Sequence, residues 1–92
     1  YLNRISIDMN ATQRKTFEAV FETPTRADVR WSRIEALVRA LGGKVTEGHG
    51  SRVRFWIGNR VATFHRPHAS RGTGKGTLED VRRFLENAGF RT

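Results

Sequence analysis

The chain of 92 residues contains no cysteine, which removes disulfides and every thiolate metal site from consideration. No apolar run approaches the length of a membrane-spanning helix, and no signal-peptide pattern opens the sequence. Proline is rare, with Pro24 and Pro67 the two examples. Acidic side chains are also scarce: 9 Asp and Glu stand against 17 Lys and Arg, a formal charge of +8. That imbalance favours polyanionic partners, nucleic acid first, then an acidic protein surface, and less often a membrane. Neither an internal repeat nor a low-complexity tract is present, and the length suits one domain.

What is present reads as an α+β pattern. Met9 in "DMNATQ" resembles a natural start, so residues 1–9 are expected to be an added or disordered lead before one folded domain over residues 10–92. Asn10 is placed to cap a first helix, "ATQRKTFEAVF", with Phe17, Val20 and Phe21 at helical spacing. After a polar connection, "VRWSRIEALVRAL" steps Trp31, Ile34, Val38 and Leu41 down one stripe, and Gly42-Gly43 stops it. Three short strands follow, "KVTE", "RVRFWI" and "RVATFH", separated by the turns "GHGS" and "GN". A Gly- and Arg-rich loop then leads to a helix "TLEDVRRFLENAG", expected to begin at a Thr77 cap with acids in its first turn. The predicted fold is a three-stranded antiparallel sheet with both main helices on one face, an α-β-β-β-α order preceded by an extra helix. The other sheet face is left open.

The register follows from the turn. If Gly58-Asn59 is a two-residue hairpin, Ile57 pairs with Arg60, Phe55 with Ala62 and Val53 with Phe64 on the helix-covered side. On the open side Trp56 then faces Val61, Arg54 faces Thr63, and Arg52 faces His65. Cross-strand partners lie about 5 Å apart, so Arg52 and His65 form one small cationic site. A slip of one residue would bury three arginines.

Such a pair suits metal-independent RNA cleavage. Histidine titrates near neutrality and can take the 2′-hydroxyl proton, while arginine binds phosphate bidentately and stabilises charge developing on it. The same residues fit a plainer role, in which His65 ends a strand and Arg52 solubilises its face. His68, after Pro67 in "HRPH", offers a second proton carrier or a support for His65. Three imidazoles, His49, His65 and His68, lack a thiolate, a nearby acid or a helical i,i+4 pair, so neither a metal nor another cofactor is expected. "SRGTGKGT" lacks the order of a nucleotide-binding phosphate loop, yet Arg71 and Lys75 near a helix N-terminus can seat one backbone phosphate. From Lys44 to Gly76 the basic residues are Lys44, Arg52, Arg54, Arg60, Arg66, Arg71 and Lys75, seven against the single acid Glu47. Arg54, Arg60, Arg66, Arg71 and Lys75 are therefore expected to contact RNA. Trp56 would stack a base, pack under a partner protein, or be covered by residues 1–8. Arg82 and Arg83 are expected to form an ordinary solvated face.

Taken in order, "LGGKVTEGHGSRVRF", "RVATFHRPH" and "KGTLEDVRRFLENAGF" resemble the HicA family of bacterial type II toxins over residues 31–90. The resemblance implies a double-stranded-RNA-binding-like fold and a bacterial cytoplasmic mRNA interferase that arrests growth. It also implies a HicB-like antitoxin, expected to cover the basic sheet face. The usual family pattern carries a catalytic His just after "GS" at the start of the second strand, where this chain has Arg52. His68 matches the histidine of the family's Pro-x-His segment loosely, and His65 is additional. The expectation is that the imidazole has crossed the strand pair from position 52 to His65, on the same face. A non-catalytic RNA-binding module using that face is the alternative, and a domain that binds an acidic protein is a third. The first two share a steep salt dependence of RNA binding, so turnover separates them and affinity does not.

Overall fold

A computed structural model describes residues 9–67 and 72–91. Helix α1, Ala11–Val20, opens with a capping box: Gln13 N donates to Asn10 Oδ1 at 2.8 Å and Asn10 N donates to Gln13 Oε1 at 3.0 Å. Strand β1, Val29–Arg30, leads directly into α2, Trp31–Ala40, whose buried stripe is Trp31, Ile34, Leu37 and Val38. Gly42, at φ +89°, ends α2 in a Schellman motif, with Gly43 N donating to Val38 O and Gly42 N to Arg39 O. Strands β2 (Lys44–Glu47), β3 (Arg52–Ile57) and β4 (Arg60–His65) form an antiparallel sheet in that order. Strand β5, Gly72–Thr73, pairs with β1 in a separate two-stranded ribbon. Helix α3, Lys75–Asn87, ends in a second Schellman motif, with Gly89 at φ +99° and Phe90 N donating to Leu85 O.

The α+β class and the three-stranded antiparallel sheet are as expected, and so is the β3–β4 register. Arg52 pairs with His65, Arg54 with Thr63, Trp56 with Val61 and Ile57 with Arg60. Positive φ falls on Gly58 and not on Asn59, the pattern of a type II′ turn. Alternation along β3 buries Val53 and Phe55 and leaves Arg52, Arg54 and Trp56 outside. Phe55 stacks on Trp31 at 5.3 Å between ring centroids and meets Phe64 at 4.9 Å, so the sheet rests on an aromatic core. α2 packs against β2, α3 against β4, and α1 against both helices.

Three expectations are corrected. Val29 and Arg30 belong to β1 and not to the second helix, because Val29 is buried opposite Thr73 in the ribbon. α3 starts before Thr77: Gly74 is its N-cap without a side-chain bond, Leu78 N already donates to Gly74 O, and no acid lies in the first turn. Arg82 is no solvated side chain. It donates from Nε to Val20 O at 2.8 Å, and from Nη2 to Glu22 O at 3.1 Å and Thr25 Oγ1 at 3.0 Å, which satisfies carbonyls left open where α1 ends. Arg83 does remain exposed, paired with Asp80 at 3.0 Å.

Candidate nucleic-acid interface

The open sheet face is built from cross-strand rungs. At one end Lys44, Trp56 and Val61 stand side by side; in the middle are Thr46, Arg54 and Thr63; at the other end Arg52 faces His65. On the β2 side of Arg52 the neighbour is Gly48, whose N donates to Arg52 O, so that rung carries no side chain opposite the arginine. The bond from Arg66 N to Ser51 O, at 2.8 Å, makes Ser51–Arg66 a hydrogen-bonded rung. By alternation Arg52–His65 is then a non-hydrogen-bonded rung, the kind in which the Cα atoms approach to about 4.5 Å and the side chains lie closest. His49 closes the turn into β3 by accepting Arg52 N at 3.1 Å, at this same end of the sheet.

No carboxylate lies on this face among the described residues. Lys44, Arg52 and Arg54 are exposed and take part in none of the ion pairs found there. Glu47 points to the helix side, where Arg66 binds it at 3.1 and 2.8 Å and holds its carboxyl below the usual range. Among the described residues the positive charge of the face is therefore uncompensated. Trp56, 37% exposed, donates from Nε1 to Thr46 Oγ1 at 2.8 Å, which fixes the indole on the sheet.

The expected site residues separate by strand parity. Arg52, Arg54, Trp56 and His65 share the open face. Arg60, opposite Ile57, lies on the helix side beside Asp80, Arg83 and Phe84. Arg66 also lies there, its guanidinium bound by Glu47 and Glu35, with those hydrogen bonds raising its pKa. Lys75 is the first residue of α3 and belongs to no strand of the sheet. His68 and Arg71 fall outside the described residues, as do residues 1–8, expected as one possible cover for Trp56. Thr46 and Thr63, whose hydroxyl-bearing positions flank Arg54, were not singled out from the sequence, although the strand register contains them.

Fold and face together define a small α+β domain whose open sheet face is basic, free of acids among the described residues, and carries an exposed Trp and a His beside an Arg. Comparison with known families is more specific. The family model described as HicA toxin of bacterial toxin-antitoxin matches residues 31–90, and the chain belongs to this family. The match covers α2 through α3 and leaves α1 outside it. Neither the curated proteins nor the solved structures gave a match. No helix among the described residues is long and apolar enough to cross a membrane.

Proposed function

We propose that this toxin is a metal-independent endoribonuclease that cleaves mRNA on the open sheet face, with His65 as general base. The observation that supports the reading is the Arg52–His65 rung, an imidazole beside a guanidinium. In the step envisaged, His65 takes the 2′-hydroxyl proton and the 2′-oxygen forms a bond to the adjacent phosphorus. The bond from phosphorus to the 5′-oxygen breaks, and that oxygen leaves with a proton supplied by His68 or water. The products are a 2′,3′-cyclic phosphate and a 5′-hydroxyl end. Arg52 stabilises the phosphoryl charge, Arg54 holds the next phosphate, and Trp56 stacks a base. Arg71 and Lys75 are assigned to flanking phosphates. Arg60 and Arg66 act through the helix side of the fold, Arg66 by fixing the strand end that carries His65. A HicB-like antitoxin would silence the protein by covering the basic face, in the bacterial cytoplasm.

The test is cleavage of a labelled single-stranded RNA in EDTA with product-end analysis. His65→Ala is expected to lower the rate by about 10²–10⁴-fold, the usual contribution of a general base, while RNA affinity changes little. Undiminished cleavage by this variant would remove His65 from the role. A second reading is favoured by Arg52, which stands where the family pattern has its catalytic His: an RNA-binding protein that does not cut. It predicts salt-sensitive RNA binding with no cyclic-phosphate product.

A further inference from the structure

β4 is an edge strand: among the described residues it pairs with β3 and with nothing beyond it. The hydrogen-bonded rungs to β3 are those of Phe64, Ala62 and Arg60, so the amides and carbonyls of Val61, Thr63 and His65 point outward. Folded proteins usually protect such an edge with charge, proline or brevity. The opposite edge, β2, has four residues with Lys44 and Glu47 at its ends. β4 has six, and the four from Val61 to Phe64 carry no charge. Val61 is 48% exposed. Along the same edge, between β4 and α3, runs a groove of about 550 Å³ lined by Arg60, Ala62, Phe64, Asp80, Arg83 and Phe84. Asp80 is taken by Arg83, which leaves Arg60 without a carboxylate partner among the described residues.

We infer that the β4 edge is a docking site for an extended acidic segment of a partner polypeptide, which adds to the sheet as a fourth strand. Its backbone would exchange hydrogen bonds with Val61, Thr63 and His65. The two-residue period of a strand then sends alternate side chains to opposite sides. One set enters the groove beside Ala62 and Phe64, within reach of Arg60. The other lies on the open face beside Val61, Thr63 and His65, where a carboxylate meets Arg52 and Arg54. As regulation, this rests on the reading of the open face as the RNA site, because the added strand would place anions where RNA phosphates go.

Charge selects this occupant. A second copy of the chain would bring another +8 to a face without acids among the described residues. An RNA backbone is rich in acceptors, so it suits the outward amides but leaves most of the outward carbonyls unpaired.

The test uses ¹⁵N-labelled full-length protein titrated with a synthetic octapeptide of alternating valine and glutamate, beside the same peptide N-methylated at alternate residues. Amide exchange at Val61, Thr63 and His65 is expected to slow by about tenfold or more, with Val45 and Glu47 on the opposite edge unchanged. With the methyl groups on the amides that face β4, binding should weaken at least about tenfold, because up to three backbone bonds are lost. Unchanged exchange at the three β4 amides at millimolar peptide overturns the inference. So does equal affinity of the N-methylated peptide, which marks plain charge attraction, or an oligouridylate that protects these amides where the peptide does not. RNA cleavage is measured separately on peptide-free protein. Docking without cleavage keeps this site and removes the nuclease reading, and cleavage without protection does the reverse.

Discussion

Arg66 and Glu35 meet across the helix–sheet interface, with Arg66 Nε 3.1 Å from Glu35 Oε2, one residue past His65. Glu35 also accepts Trp31 Nε1 at 2.6 Å, and Arg66 reaches on to Glu47. The end of β4 is thereby tied to α2 and to β2 at once.

Arg66→Ala is expected to destabilise the protein by about 1–3 kcal/mol, since Glu35, with a side chain 14% exposed, loses its cation and hydrogen bond. Arg66→Lys should restore part of this, because one ammonium cannot reproduce the fork between two carboxylates. Urea midpoints measure it. The same variant should change RNA affinity less than Arg54→Ala, whose side chain faces solvent on the open face.

Glu47 and Asp28 both titrate below the ordinary carboxylate range, each held down by hydrogen bonds from an arginine, Arg66 and Arg26. A lowered folded pKa means the unfolded chain binds more protons in acid. The stabilisation is present above the unfolded carboxylate pKa, near 4 by the usual reference values, and is lost as pH falls through the lowered folded values. Urea midpoints taken downward from neutral pH should therefore decline in this acidic window, and Glu47→Gln should flatten that decline.

Arg82→Ala removes three hydrogen bonds from the segment that ends α1. A loss of about 1–3 kcal/mol is expected, with amide exchange accelerating in α1 before it does in β3. Uniform acceleration across the protein would mean that α1 and the sheet open together.

The two glycines after α2 should fail for different reasons. A Cβ on Gly42 meets nothing within 4 Å, so Gly42→Ala costs only the strain of φ +89°, about 1–2 kcal/mol. A Cβ on Gly43 would sit 2.6 Å from Trp56 O and 2.9 Å from Val38 Cγ1. Gly43→Ala must therefore displace the backbone under Trp56, costing about 1–3 kcal/mol and shifting tryptophan fluorescence.

On the open face, Arg54→Ala should reduce the salt slope of RNA binding by about 1, as one phosphate contact is lost. Trp56→Ala should cost about 1–3 kcal/mol in single-stranded RNA affinity with the slope unchanged. Filter binding across a salt series checks both.

The hairpin and its two faces were legible because a Gly-Asn turn and a two-residue alternation reinforce each other from Arg52 to His65. The β1–β5 ribbon was not, since two residues show no period and its pairing spans more than 40 positions of sequence. The start of α3 was hidden by "GTGKG", whose glycines read as a loop although Leu78 N closes a helical turn onto Gly74. Arg82 looked like a surface charge because its acceptors, two backbone carbonyls and the Thr25 hydroxyl, lie about the end of a helix distant in sequence, which no side-chain pattern announces. Arg60 and Arg66 are different: the charge count set them among the expected RNA contacts, while the register, read from the same turn, already paired Arg60 with Ile57, as the structure has it.

Facing positions on neighbouring strands are interchangeable in a way that positions along one strand are not. Residues 52 and 65 are 13 apart in the chain but share one rung, so a side chain supplied from either strand arrives over nearly the same patch of sheet. A functional group in this fold has an address of row and side, and its number in the sequence is only one of two routes to that address. Comparing such proteins column by column would record a loss at one strand and an unrelated gain at the other, where the surface presented to a ligand had kept the same chemistry.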